Sequence, residues 1–389
     1  MIINKGKNFC PAPFKQFCIN SIGQISPCCM INETGFGKLN KDLNLSLQQL
    51  LRQEDWQNFI SSHLKEKMPD ICEKACGMSY PVEYHHQWKR YKGFTTKDNI
   101  IKTADISFGN ICNLTCTMCG PTWSNEWLKF VNQKDRFAWN FNFSQCIELA
   151  NILKNCESIV IKGGEPFLNK NFVIFLKQLN EIYTDSKLNF NVLTNGTVCN
   201  QDALEIINNF PYPNINISIE STENDLYKWV RGGIYSLDTI FSNISYIKKN
   251  YKNILLRANY IVGSVNIDNF LQDMNILREI QIDELNLMLI KYPLEQSISI
   301  VKQKYIKKFI NDLLTDSKLY PSFYKLMTNM NTLQDTIEHL KSIPTQKIDK
   351  NYLIERLNFY NHIRYKQTNN INLDLLKIKP NFCNFINLE

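Results

Sequence analysis

Three of the chain's 13 cysteines stand at Cys112, Cys116 and Cys119, in the run Ile106-Ser107-Phe108-Gly109-Asn110-Ile111-Cys112-Asn113-Leu114-Thr115-Cys116-Thr117-Met118-Cys119. Their spacing is C-x3-C-x2-C. Three thiolates on one short loop suit three corners of a cubane iron–sulfur cluster. The fourth iron then lacks a protein ligand. A catalytic metal site needs such an open position, because a substrate or cofactor binds there. Zinc is the alternative metal for thiolates, but this spacing fits the paired C-x2-C zinc pattern poorly.

Six more cysteines crowd toward the N-terminus: Cys10, Cys18, Cys28, Cys29, Cys72 and Cys76. An odd total with no secretory leader argues against a disulfide framework and for metal ligands or catalytic groups. Cys146, Cys156, Cys199 and Cys383 are isolated. They are expected to be small buried hydrophobes.

These residues need elements to hold them. Segments 104–108, 158–161, 188–193, 214–219, 254–261 and 284–290 are predicted strands. Helical patterns lie between them, for example 171–182, 201–209, 237–248 and 266–280. Strands alternating with helices mean parallel βα units. Six strands fall short of a closed eight-stranded barrel, so an open or partial barrel is expected, with its chemistry at the strand C-terminal ends. Before it, segments 15–19 and 24–27 flank Ser21-Ile22-Gly23 as a predicted hairpin, and 43–64 has helical spacing. After it, segments 305–314, 333–340 and 353–365 are predicted helices. The expected fold is therefore α/β. Residues 1–100 form a Cys-rich region, 101–292 the barrel core, and 293–389 a mainly helical extension.

Several polar groups fall at the predicted strand ends. Gly163-Gly164-Glu165-Pro166 follows the second strand. Two glycines let a backbone approach a ligand closely, and Glu165 can accept from an ammonium group, although alone the tetrapeptide is an ordinary tight turn. Thr194-Asn195-Gly196 ends the third strand, and Ser218-Ile219-Glu220 the fourth. Alternation points Ser218 and Glu220 to one side. Arg231 carries a fork suited to a carboxylate, or else caps a helix at the surface. Asn259, on the fifth strand, is a further candidate.

Composition limits the alternatives. The net charge of +7 is spread along the chain rather than clustered, which reads as a solvated surface. No basic stripe interleaved with aromatics supports nucleic-acid binding. No apolar run approaches 18 residues, so no membrane span is expected, and the polar, basic N-terminus shows no signal peptide. The cytoplasm is the expected compartment.

The cysteine loop just after the first strand of a βα series resembles the signature of the radical S-adenosylmethionine (SAM) superfamily. The resemblance covers residues 101–292, with its motifs in family order. It implies that the open iron of a [4Fe–4S] cluster on Cys112, Cys116 and Cys119 chelates SAM. One electron then cleaves SAM to a 5′-deoxyadenosyl radical, which abstracts a substrate hydrogen. It further implies that Gly163, Gly164, Glu165 and Pro166 hold the SAM amino group. Thr194 and Asn195 contact its ribose or methionyl part, and Ser218 and Glu220 its ribose hydroxyls. Arg231 pairs with its carboxylate. Relatives often have an aromatic before the third cysteine and Ser-x-Asp at the fourth strand. This chain has Met118 and Ser-x-Glu.

Cys10, Gly23 and Cys28 make C-x12-G-x4-C, followed by C-x3-C at Cys72 and Cys76. This resembles the auxiliary-cluster motif of the SPASM and twitch subfamily, which ordinarily follows the barrel rather than preceding it. It implies a second [4Fe–4S] cluster on Cys10, Cys28, Cys72 and Cys76, with no open iron. Cys29 is an alternative to Cys28, Cys18 is a ligand or a strand residue, and a structural zinc is the other occupant of the four thiolates. The adjacent His85-His86 reads as a surface pair. The resemblance implies an oxidoreductase acting on a peptide or protein side chain, or on a small sugar-like or aminocyclitol molecule. Its reductant would be of the flavodoxin or ferredoxin type. The reading from another class is a non-catalytic iron–sulfur or zinc binding module.

Overall fold

Six segments with one apolar and one polar face become six parallel strands. The computed structural model describes residues 10–29, 31, 49, 54–65, 69–72, 101–131, 139–183, 187–232, 234–329, 332–368 and 373–389. Cys76, His85 and His86 lie outside them, as does nearly all of 43–53. The six strands are β3 (Thr103–Ser107), β4 (Ser158–Lys162), β5 (Asn189–Thr194), β6 (Tyr212–Ser218), β7 (Leu255–Val262) and β8 (Glu284–Leu289). Each pairs in parallel with the next, as a partial (β/α)6 barrel requires.

The predicted hairpin forms as β1 (Gln16–Ile19) and β2 (Ile25–Ser26), turning at Gly23 with φ of 74°. It does not stand apart from the barrel. β1 pairs in parallel with β3, placing Cys18 opposite Asp105, and the sheet order is β2-β1-β3-β4-β5-β6-β7-β8. Sequence spacing gave no sign of this pairing, because the two strands are separated by more than 80 residues. α1 (Glu54–Leu64) occupies the described part of the helical stretch 43–64 and buries Trp56 and Phe59.

Alternation divides the sheet into two faces. Ala104, Ile106, Ile159, Ile161, Phe190, Val192, Ile215, Ile217, Leu256, Ala258, Leu285 and Leu287 are buried in one apolar cluster. They pack beneath α2 (Phe143–Leu153), α3 (Lys170–Ile182), α4 (Gln201–Asn208), α6 (Leu237–Asn250) and α7 (Phe270–Glu279). A further helix, α5 (Asn224–Arg231), follows β6. The opposite face is polar. Register aligns Ser107 with Lys162, Asn216 with Arg257 and Glu284, and Ser218 with Asn259 and Asn286. Its charges are paired: Lys162 with Asp105 at 2.8 Å, and Arg257 with Glu284 at 2.8 Å.

The extension is helical, as its spacing predicts, with α8 (Gln303–Leu319), α9 (Thr332–Ser342) and α10 (Lys350–Gln367). α8 and α9 join the main core, whereas α10 builds a second apolar cluster with Trp127 and Trp229.

The hairpin contributes to the core through Phe17, which is fully buried. Phe17→Ala should cost about 3 kcal/mol of stability. Urea unfolding should show a lower midpoint at unchanged slope.

Candidate functional site

The cysteine loop leaves β3 at Gly109, whose φ of 85° and close approach to the Trp139 carbonyl exclude a side chain: a Cβ would lie 2.2 Å from that oxygen. Asn110 Oδ1 accepts from the Trp139 amide at 2.7 Å. Asn125 Oδ1 accepts from the Cys112 amide at 2.8 Å, and Ser124 Oγ donates to Leu114 O at 2.5 Å. The Cys119 amide donates to Cys116 O at 2.9 Å. These contacts fold the loop so that the Cys116 and Cys119 thiols are hydrogen-bonded neighbours, with Cys112 next to Cys116. The Cys119 thiol, and behind it Arg231, hold Cys116 well below the ordinary thiol range. Burial pushes Cys112 up to about 12, so metal binding there must release a proton.

The second strand's turn is pressed against this loop. Gly163 and Gly164 both have positive φ. A Cβ on Gly164 would lie 2.3 Å from Ile111 O, and one on Gly163 would lie 2.5 Å from Ser107 Cβ. The observed reason for two glycines is thus close approach to the cysteine loop's own backbone. The Glu165 amide donates to Ile111 O at 2.7 Å, and Pro166 opens the helical turn Pro166–Leu168. Glu165 is buried and its carboxylate accepts from Thr194 Oγ1 at 2.8 Å, the Asn195 amide at 2.7 Å and the Phe167 amide at 3.1 Å. Burial outweighs these donors and raises its pKa to about 7. Three of roughly four acceptor sites on the carboxylate are used.

Thr194 and Asn195 therefore orient Glu165. Asn195 also reaches the loop, with Nδ2 2.9 Å from Asn113 Oδ1 and 3.9 Å from Cys112 Sγ. Glu220 and Arg231, assigned separate contacts by resemblance, form a buried bidentate ion pair with one another. Arg231 Nη1 lies 3.5 Å from Cys116 Sγ. Ser218 is half-buried at the end of β6, and Asn259 accepts from Asn286 at 2.8 Å. Met118 packs with Cys119 on the cluster around Trp127.

The extension also reaches this loop, a contact that its predicted helices did not foretell. On α10, Arg364 donates to Thr115 O and Thr115 Oγ1, both at 2.8 Å, and Tyr360 donates to Thr117 O at 3.0 Å. Thr117 Oγ1 donates to Gln296 Oε1 at 3.0 Å. From the end of α5, Val230 O accepts from the Thr117 amide at 2.8 Å.

The N-terminal cysteines divide. Cys28 and Cys72 are buried together with Ile31 and Phe59. Cys29 and Cys18 instead line a cleft with Asp105, Ser107, Trp123 and Lys162 on the polar face of the sheet. Burial pushes Cys18 up, and the Cys28 thiol holds Cys29 down near 7. Cys10 is half-buried. A residue missed in the sequence, His63, lies beside Cys72, with Nε2 3.6 Å from its Sγ. Its Nδ1 has no partner among the described residues, and burial lowers its pKa to about 4.

No three His, Cys, Asp or Glu side chains among the described residues gather closely enough to share a single metal ion. The donor chemistry of the loop suits an iron–sulfur cluster: three thiols, with N–H donors from Arg231 and Asn195 toward two of the sulfurs. The buried Ser107 and Tyr227 hydroxyls also lack protein partners among the described residues. Residues 106–277 match the family model of the radical SAM superfamily.

The chain carries a radical SAM superfamily domain.

Residues 10–77 match a second model, that of an iron–sulfur cluster-binding domain of the SPASM type. A radical SAM domain implies a [4Fe–4S] cluster and SAM, and the SPASM domain implies an auxiliary iron–sulfur cluster. No curated protein sequence matches significantly. Among solved structures, anSMEcpe with bound AdoMet is similar at 18% identity and a TM-score of 0.44, over 56% of this chain and 61% of that one. SuiB of Streptococcus suis bound to precursor peptide SuiA is similar at 14% identity and a TM-score of 0.45, over 69% and 60%. The chain thus spans about three fifths of the length of each of these two.

In this radical SAM chain Gly164 sits where a side chain would push Ile111 away. Gly164→Ala should reduce iron incorporated at the Cys112 loop to below half the wild-type content. Iron and sulfide analysis after anaerobic reconstitution checks this, with circular dichroism confirming an intact fold.

Proposed function

We propose that the chain is a radical SAM oxidoreductase that modifies a peptide or protein side chain. The observation that carries the reading is the position of three thiols at the C-terminal end of β3, directly against the buried Glu165 turn. Cys112, Cys116 and Cys119 would hold the SAM-binding [4Fe–4S] cluster. When bound, that cluster supplies the electron that cleaves SAM.

The chain's own residues would bind and orient SAM. Glu165 has one acceptor site left for an ammonium group. Arg231 spends three of its five N–H groups on Glu220 and Cys116, so two remain for a carboxylate. Ser218 and Glu220, at the end of β6, would contact the ribose, with Met118 beside Cys119 as the apolar surface. Gly163 and Gly164 keep the Glu165 turn seated on the loop. Cys10, Cys28, Cys72 and Cys76 would hold the auxiliary cluster, with His63 against Cys72. The polar sheet face, its charges already paired, suits a polar group of side-chain size below the SAM site. A flavodoxin- or ferredoxin-type protein would deliver the electron. No helix among the described residues is long and apolar enough to cross a membrane, and we place the activity in the cytoplasm.

If both sites hold cubanes, reconstituted protein should bind about eight irons per chain, and replacing Cys112, Cys116 and Cys119 together by Ala should leave about four. SAM should change the EPR spectrum of the reduced wild type and leave that of the triple variant unchanged. Retention of zinc without iron in the variant would exclude the auxiliary cubane. No SAM effect in the wild type would exclude the catalytic reading. Glu165→Gln should weaken SAM binding about tenfold with the cluster spectrum intact, as one charge-assisted hydrogen bond is lost.

A further inference from the structure

Five arginines lie among the described residues, and four are paired with carboxylates: Arg231 with Glu220, Arg257 with Glu284, Arg278 with Asp316 and Arg356 with Glu295. Arg364 is different. It is fully buried near the end of α10, and its hydrogen-bond partners are all neutral. Nε donates to Trp229 O, Nη1 to Thr115 Oγ1 and Gln367 Oε1, and Nη2 to Thr115 O, each at 2.8 Å.

Such a charge is costly. Removing an ion from water carries a penalty of several kcal/mol even after the protein relaxes, and carbonyl dipoles offset only part of it. A buried arginine without a carboxylate therefore points to an anion elsewhere. The group in reach is Cys116, which follows directly on Thr115, whose carbonyl and hydroxyl Arg364 holds. The other cation at Cys116 is Arg231, and its charge is already balanced by Glu220. Among the described residues, the unbalanced positive charge behind the cysteine loop is thus that of Arg364.

We propose that Arg364 is the resident counter-charge of the cluster held by Cys112, Cys116 and Cys119, and that through it the C-terminal extension sets the potential at which that cluster is reduced. The inference rests on the proposed function. A cubane with three thiolates is a net anion, and reduction adds one electron from the protein reductant without a proton. A fixed cation nearby stabilises the reduced form more than the oxidised one, so it raises the potential. Arg364 is a positioning residue, since it touches the loop backbone rather than the reacting atoms.

The test is a potentiometric titration of the full-length, reconstituted protein, following by EPR the cluster signal that SAM perturbs. Arg364→Met keeps most of the volume and removes the charge. It should retain the iron of the wild type and lower the midpoint by about 59 mV or more, a tenfold loss in the one-electron equilibrium. Arg364→Lys keeps the charge without the fork and should stay close to the wild type. A wild-type potential in Arg364→Met overturns the inference. If Arg364→Met does not fold, Arg364→Lys decides: a near-native potential upholds the counter-charge. A shift in the lysine variant as large as that expected for Met overturns it, and so does its failure to fold or bind iron, since the fork's hydrogen bonds would then be what the loop needs. If no wild-type cluster responds to SAM, the functional reading fails first, and that result is distinct from any change at Arg364.

Discussion

The backbone of residues 109–119 runs beyond the sheet, so its amides and carbonyls have no ladder to join and must find partners elsewhere. Ile111 O is taken by the Glu165 amide, the Cys112 amide by Asn125, Leu114 O by Ser124, Thr115 O by Arg364, and Thr117 O by Tyr360. The bonds come from three separate parts of the chain: the Glu165 turn, the Ser124–Asn125 segment and α10. Together these parts hold the loop that carries the three thiols. Gly164 and Gly232 serve the same end: a Cβ on either would strike loop backbone, at Ile111 or at Thr115.

The sheet beneath separates two tasks. Its apolar face supplies a continuous core, and its polar face carries charges that neutralise one another across neighbouring strands. A buried charge is tolerable when paired and hydrogen-bonded. The paired state also lets a polar interior lie open to a ligand without attracting one sign of charge. At the mouth the rule changes. Arg231 and Glu220 are paired, Arg364 has only neutral partners, and the imbalance lies beside the cysteine loop.

Much of this was legible beforehand. All six barrel strands, the hairpin and the three helical stretches of the extension follow from period-2 and period-3.6 patterns, because burial on one face imposes those periods directly. The cysteine loop, Glu165 turn and Asn195 turn were legible as motifs at strand ends. The pairing of β1 with β3 was not, since register between distant strands leaves no local trace. Nor was the contact of Glu220 with Arg231, which depends on how α5 returns over β6. His63 had no motif around it. Arg364 did leave a mark. Leu353, Leu357, Tyr360 and Arg364 follow one another at helical spacing, and all are buried, so a charge stands on the apolar stripe.

Thr115 and Arg364 are 249 positions apart. During synthesis at about 5–20 residues per second, the cysteine loop leaves the ribosome roughly 10–50 s before the side chain that anchors it exists. Over that interval the loop is without its partners for Thr115 O and Thr117 O. A nascent chain therefore carries the three thiols well before the α10 side chains that bond their loop. The two ends of one set of contacts are thus made at different times: the loop early, and its α10 partners only once that helix has been translated.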